Sequence, residues 1–578
     1  MLELRRLLPY LVRYKGRVAL GMLCLLLGKA ASVLEPQVLR MTVDDLTVSV
    51  TAGKLLFYSG LIVAIALVDG FFRFWMRRLL IGVSRYVEFD LRNDFYAHLQ
   101  RMSPSFFHRW RTGDLMSRAT NDISAVRMVL GPGIMYPIET GVITIAALGF
   151  MLAIHLELTV VALAAMPFVS IAVKMFGAVI HKRFERIQAK MSDITAMVQE
   201  NLSGVRVVKA YAQEGPEQEK FEEENREYFR ENLELARLWG AFYPLLAVLI
   251  GVGSALVLWW GGRLVVNQEI SLGQLVAFIA YLSMLTWPMI AFGWVVNIYQ
   301  RGAASMRRLA AVMDESPELA DAPDARTDVP WEGRVEFRNV SFRYNGTEVL
   351  NDINLVIEAG KTLAIVGRTG AGKSTLVSLV PRLYDVSAGQ VLVDGIDVRK
   401  LPLADLRQSI GFVSQDSFLF SESLRDNISF GRKGSSLEEV ARVADIAGLG
   451  TDVSDFPLQY DTMVGERGIT LSGGQKQRTS IARALLIEPR ILILDDALSS
   501  VDTETEERIL SQLRGVIRNR TALLVSHRVS TIKDADVIVV LEDGRIVEQG
   551  THQSLVEQQG LYAALYRKQL LEEELERI

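Results

Sequence analysis

Hydrophobic positions cluster in long charge-free runs through roughly the first 300 residues, then give way to short alternating segments. Residues 238–262 and 270–300 contain no charged residue or histidine, and each exceeds the about 20 residues with which a helix crosses a bilayer. Residues 158–173 are equally clean and extend to 180 past Lys174, while 131–154 carry only Glu139. Residues 55–68 continue towards 80 through Asp69 and Arg73, an i,i+4 pair that neutralises itself on one helix face. The first run, 18–40, is interrupted by Lys29 and Glu35. A buried helix of a soluble protein would account for the first or second run taken singly, but not for six in succession. Six transmembrane helices are predicted, near 18–40, 55–80, 131–154, 158–180, 238–262 and 270–300.

The basic residues orient these spans. Arg5, Arg6, Arg13, Lys15 and Arg17 precede the first, and the connections 77–127 and 174–237 hold nine and eleven Lys/Arg. The alternate connections, 41–54, 155–157 and 263–269, hold two between them. Positive charge stays on the cytoplasmic face, so a multi-pass protein of the cytoplasmic membrane is expected, with both termini and the long connections inside. Residues 87–102 and 184–202 mix apolar and charged positions without Pro or Gly clusters, which predicts helices continuing well beyond the bilayer. Leu4, Leu7, Leu8 and Leu11 among arginines read as an interfacial amphipathic helix. A cleaved signal peptide with 18–28 as its apolar core is the alternative; its removal would spoil the even number of spans.

Residues 313–332, acidic with three prolines, read as a linker between a membrane domain (1–312) and a soluble domain (333–578). Beyond it, Val335, Phe337 and Phe342 open a strand region, and 362–366, 491–494 and 522–525 are short apolar strands. Helices are predicted over 373–383 and 476–486, and a hairpin joins 537–541 to 545–548 through Asp543-Gly544. Strands alternating with helices predict a largely parallel α/β sheet. Composition narrows the function. A net charge of −4 argues against general polyanion binding, so no nucleic-acid partner is expected. The single cysteine, Cys24, excludes a disulfide within the chain and any cysteine-cluster zinc site.

The chemistry begins at Gly367-Arg368-Thr369-Gly370-Ala371-Gly372-Lys373-Ser374, a G-x-x-x-x-G-K-[ST] loop between a predicted strand and helix. Its glycines let backbone N–H groups turn towards phosphate oxygens, aided by the helix N-terminus. Lys373 is placed to reach the β/γ-phosphates and Ser374 to bind Mg²⁺. A second apolar strand delivers Asp495, followed by Asp496, to its C-terminal end, where ligands of such sheets bind. Asp495 fits the Mg²⁺-holding carboxylate of a P-loop ATPase. A third motif, Leu471-Ser472-Gly473-Gly474-Gln475, precedes a helix and forms another anion cradle. Two cradles in one chain bind two anions, or one of them serves a nucleotide held mainly by another subunit.

With these motifs the sequence resembles the ATP-binding cassette family, and specifically its exporters, over essentially the whole chain; Leu471 to Gln475 is that family's signature. The resemblance implies a helical membrane domain followed by an α/β P-loop ATPase, with ATP and Mg²⁺ as cofactors. It implies that Gly367 through Ser374, with Thr375, line the nucleotide, that Tyr344 stacks on adenine, and that Gln415 contacts Mg²⁺ and senses the membrane domain. It assigns Ser472, Gly473, Gly474 and Gln475 to the nucleotide of the facing cassette, and His527 to a switch near the γ-phosphate. Residues 464–468 resemble the exporter X-loop, Ser499-Ser500-Val501-Asp502 the D-loop, and 112–115 and 201–207 the intracellular helices that rest on the cassettes. One cassette per chain implies a half-transporter that dimerises.

One position departs from the family. Its catalytic base is a glutamate directly after the Walker B aspartate, and here that residue is Asp496. Aspartate is one methylene shorter, which sets its carboxylate about 1.5 Å back from the attacking water. The pattern resembles the degenerate member of heterodimeric exporters, whose partner half-transporter carries the intact glutamate. Two alternatives stand beside it: a homodimeric exporter or lipid flippase using Asp496 as base, and an ATP-gated channel or regulatory subunit. The cargo expected is an amphipathic small molecule or lipid. Lys29, Glu35, Asp69, Arg73, Glu139 and Lys174 are the intramembrane polar candidates; for Glu139 a packed structural role stands level with cation binding. Trp287, Pro288, Trp294 and Asn297 line a pathway or form an interfacial belt around a kink.

Overall fold

A computed structural model describes residues 2–501, 503–518 and 520–576. The chain forms two compact units, one of Met1–Leu99 with Gly113–Glu315 and one of Gln100–Thr112 with Ser316–Ile578.

The first unit is helical. Its long elements are α1 (Lys15–Val48), α2 (Ala52–Leu99), α3 (Pro132–Ile154), α4 (Leu156–Ser203), α5 (Glu214–Val266), α6 (Leu272–Met284) and α7 (Thr286–Met313). Among the described residues five helical stretches are long and apolar enough to cross a membrane: Lys15–Val48, Ala52–Leu99, Thr112–Ile154, Glu214–Val266 and Leu272–Met313. The remaining expected span falls inside α4, where the side chain of Lys174 lies outside the described residues. The long connections are helical, as their composition predicts: α2 and α4 each run 48 residues and α5 runs 53. Beyond the apolar stretch, α4 and α5 are laced together. Arg183 pairs with Glu231 at 2.8 Å, Lys190 with Glu224 at 3.1 Å and Glu227 at 2.5 Å, and Asn201 donates to Glu217 at 2.9 Å.

Two charges that read as separate intramembrane candidates meet. Lys29 on α1 pairs with Glu139 on α3 at 2.6 Å, and the lysine side chain is only 5% exposed. Each ion offsets part of the desolvation penalty that the other suffers. Asp69 and Arg73 pair at 2.5 Å, as their spacing predicts. The N-terminal segment is a turn of 3-10 helix (Leu2–Leu7) and a short α-helix (Leu8–Arg13). Tyr10 and Arg13 fasten it to Asp94 and Asp90 of α2 at 2.7 and 2.8 Å. Of the leucines expected on an interfacial face, Leu7 is buried, Leu4 and Leu11 are half-buried and Leu8 is exposed, as is Val12 four residues on.

The second unit contains two sheets. Strands β1 (Val335–Tyr344), β2 (Thr347–Ile357), β4 (Ala388–Val393) and β5 (Ile396–Asp397) form an antiparallel sheet in the order β2-β1-β4-β5. Strands β3 (Thr362–Val366), β6 (Ile410–Val413), β7 (Ile491–Asp495), β8 (Thr521–Val525), β9 (Val537–Glu542) and β10 (Arg545–Gly550) form the other, in the order β10-β9-β3-β8-β7-β6. Only β10 runs antiparallel in it, so the predicted parallel core is found. The separate antiparallel sheet is not foreseen from alternation alone. The β9–β10 hairpin turns where predicted, with φ of 46° at Asp543 and 75° at Gly544.

Helix α8 (Lys373–Ser378) is shorter than the 373–383 expected. The chain tightens to i→i−3 bonds at Leu379 and Val380 because Pro381 offers no N–H and disfavours helix at the residue before it. Helix α9 (Gly473–Leu486) starts three residues earlier than predicted, capped by Ser472. Helices α10 (Thr503–Ile517) and α11 (Leu561–Glu576) follow further along the chain.

At the start of β1, Glu336 accepts from Arg334 at 2.7 Å and also from Arg338, which hold its carboxyl down at about 2. The shift is a depression, so its stabilisation is complete above the ordinary glutamate range and disappears as pH falls through about 2. The melting-temperature loss caused by Glu336→Gln should therefore be full at neutral pH and shrink as pH falls from about 4.5 towards 2. A loss independent of pH would show that packing, not the ion pairs, carries it.

Candidate functional site

The P-loop leaves β3, whose residues are nearly all buried, and enters α8 through glycines that the backbone requires. Gly367 has φ +151° and a Cβ there would lie 2.1 Å from the Leu541 carbonyl oxygen. Gly372, the residue before α8, has φ +98° and would press a Cβ to 2.9 Å from Leu350. Arg368, Thr369 and Gly370 are exposed along the loop, whereas Ala371 and Thr375 are buried beneath it.

Lys373 is buried at 6% exposure, and its ammonium donates to the Gly367 and Arg368 carbonyls at 2.8 and 2.9 Å. Ser374 donates to Asp495 Oδ1 at 3.0 Å, so the two predicted metal ligands stand side by side. Asp495 ends β7 between β6 and β8, itself buried. Burial pushes the Lys373 pKa down, against the pull of Asp496 and Asp495. Burial likewise pushes Asp495 up; the Ser374 hydrogen bond lowers it, Asp496 raises it, and Lys373 and His527 lower it. Both buried groups thus lack full compensation for their charge, which a phosphate beside the lysine and a divalent cation between the two oxygen ligands would supply. Hard oxygen ligands of this kind suit Mg²⁺.

Asp496 sits in left-handed backbone at φ 49°, tolerated by aspartate, with its N–H donating to Val525 O at 2.9 Å. It shares a cavity of about 90 Å³ with His527, which is exposed just past β8. The fold therefore gathers Lys373, Ser374, Asp495, Asp496 and His527 at one end of the parallel sheet. Replacing Lys373 by Ala should weaken ATP binding at this P-loop by about 10- to 100-fold, the worth of a charge-assisted hydrogen bond. Equal ATP affinities by direct binding would overturn the assignment.

The other predicted residues lie on further elements of the unit. Tyr344, at the end of β1, meets Phe342 and Tyr384 edge-on at 4.7 and 5.4 Å. Gln415 is exposed just beyond β6. In the signature, Ser472 Oγ accepts from Gln475 N at 3.2 Å while Gln475 Oε1 accepts from Ser472 N at 2.9 Å, a reciprocal cap. Gly473 and Gly474 pack close to Ser500. Residues 464–468 include glycines at φ 69° and 72°. Of the D-loop, Asp502 lies outside the described residues.

Sequence reasoning misses the groups that hold this region. Gln477 on α9 donates to Ser499 Oγ at 3.0 Å and accepts from Ser500 N at 2.9 Å. Glu506 on α10 is buried and takes the Arg528 guanidinium and the Thr531 hydroxyl. Nothing in the string Thr-Glu-Thr-Glu-Glu-Arg marks one glutamate as buried.

Family models for the ABC transporter transmembrane region and the ABC transporter match residues 18–289 and 350–499. The chain is 38% identical over 566 residues to the multidrug resistance-like ATP-binding protein MdlA of Escherichia coli (strain K12), covering 98% of this chain and 95% of that one. It is 35% identical over 571 residues to the ATP-dependent lipid A-core flippase of Syntrophus aciditrophicus (strain SB), covering 99% and 95%. A solved bacterial Atm1-family ABC exporter with ATP bound superposes with a TM-score of 0.78 at 30% identity, over 96% of this chain and 98% of that one. The chain belongs to the ATP-binding cassette transporters, coupling ATP hydrolysis in its α/β unit to transport by its helical transmembrane region.

Proposed function

We propose that the chain is the degenerate-site half of a heterodimeric exporter that moves amphipathic or hydrophobic compounds, drugs or lipids, out across the cytoplasmic membrane. The names of its multidrug and lipid A relatives support that cargo class. The Lys/Arg distribution supports cytoplasmic termini and a cytoplasmic ATPase, with domains at 1–312 and 333–578 joined by 313–332.

In this reading the backbone of Gly367 to Thr375 and Lys373 bind the phosphates, and Tyr344 stacks on adenine. Ser374, Asp495 and Gln415 hold Mg²⁺, which when bound neutralises charge developing on the β- and γ-phosphates. His527 orients the γ-phosphate. Ser472, Gly473, Gly474 and Gln475 complete the nucleotide site built on the partner's P-loop.

The observation that carries the asymmetry is Asp496. Its carboxylate is one methylene short for the water that the family's glutamate activates, and a misplacement on the order of 1 Å costs about 100-fold. The signature of the same chain is complete and correctly capped. This chain purified alone should hydrolyse ATP slowly, and co-assembly with a glutamate-bearing half-transporter should raise turnover by about 10- to 1000-fold. Steady-state ATPase measurements on both preparations test it. Several turnovers per second from the isolated chain, abolished by Asp496→Asn, would favour a homodimer using Asp496 as base.

A further inference from the structure

Three contacts converge on the turn between β7 and α10. On one side Gln477 of α9 grips Ser499 and Ser500. On the other, Arg528 donates to the Val501 carbonyl at 3.3 Å and pairs with Glu506. Arg528 directly follows His527, and the Ser526 hydroxyl accepts from its N–H at 3.0 Å, closing a tight loop around the histidine. Behind that loop the Val529 N–H donates to Gln569 of α11 at 2.7 Å.

Glu506 is the member of this set without an evident reason to be where it is. Its side chain is 3% exposed, and it lines the same cavity of about 90 Å³ as Asp496, Ser499, His527 and Thr531. A buried carboxylate is tolerated only when its charge is matched and its oxygens are hydrogen-bonded. Arg528 and Thr531 meet both demands, and in doing so they fix the segment that directly follows the histidine after β8. Because Arg528 also holds Val501, the carboxylate sets two things together: the backbone that presents His527, and the D-loop carbonyl of Val501.

We infer that Glu506 is a positioning residue that locks His527 to the D-loop through Arg528, so that a displacement of Ser499 to Val501 reaches the histidine. The inference rests on the reading of His527 as the γ-phosphate switch. It requires Glu506 to touch neither nucleotide nor metal, and to act only through the residue beside the histidine.

The test is a double-mutant cycle on the full-length chain purified in lipid, reading single-turnover ATP hydrolysis together with ATP affinity and melting temperature. Glu506→Gln should lower the hydrolysis rate by about 10- to 100-fold, the cost of misplacing a group by on the order of 1 Å, with ATP affinity changed by less than about threefold. Because the two residues act as a unit, Glu506→Gln combined with His527→Ala should be no slower than His527→Ala alone. Arg528→Lys keeps the charge beside Glu506 but loses the planar fork; it should repeat the result if Glu506→Gln fails to fold. Losses that multiply, or a Glu506→Gln rate within about twofold of wild type while His527→Ala is slow, would overturn the inference and leave the switch standing. An unchanged rate in His527→Ala would remove the switch reading itself, and the inference with it.

Discussion

Changing Asp496 to Glu should raise the steady-state ATPase rate of the chain purified alone by about 10- to 1000-fold, since general-base catalysis is typically worth about 10²- to 10⁴-fold and aspartate retains part of it. The rest of the site is already assembled around that position. Lys373 reaches the P-loop carbonyls, Ser374 and Asp495 stand 3.0 Å apart, and His527 shares a cavity with residue 496. The backbone there is held by the bond from Asp496 N to Val525 O, so a longer side chain extends from a fixed base. Asp496→Asn should cost the isolated chain no more than about tenfold, the part of general-base catalysis the aspartate retains. If Asp496→Glu changes nothing while Asp496→Asn abolishes activity, the aspartate is a working base and the asymmetric model falls.

The second large effect is expected at the other cradle. Gly474→Asp should lower turnover of the assembled transporter by about 100- to 1000-fold, the scale of losing an anion-stabilising donor. A Cβ on Gly474 would lie 3.1 Å from Ser500 O and 3.6 Å from Val501 Cγ2, tight against the D-loop. The carboxylate would add negative charge at the N-terminus of α9, where the helix dipole favours an incoming phosphate. ATP binding to this chain's own P-loop should be preserved, which separates the effect from general unfolding. Comparable losses from Gly474→Asp and Asp496→Asn in the assembled transporter would count against a division of labour between the two sites.

Much of this was legible from residue order. The P-loop, the Walker B strand and the signature are contiguous motifs whose chemistry depends on local backbone, so spacing sufficed for Lys373, Ser374, Asp495 and Gly474. The i,i+4 pair Asp69–Arg73 and the Asp543-Gly544 hairpin are local for the same reason. What escaped was long-range. Lys29 and Glu139 are 110 positions apart, and nothing in either helix says which neighbour its charge will face. Glu506 belongs to a charged stretch that reads as a solvated helix face, yet the sheet places Arg528 against it. Pro381 ends α8 early because it has no N–H to continue the helix, a local break that apolar periodicity does not register. Periodicity finds which face of a helix is apolar; it does not find what that face meets.

The ion-pair ladder between α4 and α5 has a mechanical consequence. A 48-residue helix is a rod about 70 Å long, and by itself it would flex. Cross-ties at Arg183, Lys190 and Asn201 oppose sliding of one rod along the other, so the pair resists bending as a braced beam does. A tilt of about 5° at one end of such a beam carries the other end through about 6 Å, as simple geometry on a rod of this length requires. These cross-ties are half-buried but still reach solvent, so concentrated salt weakens them in part. The beam's stiffness, and with it the stroke delivered per tilt, should soften as ionic strength rises.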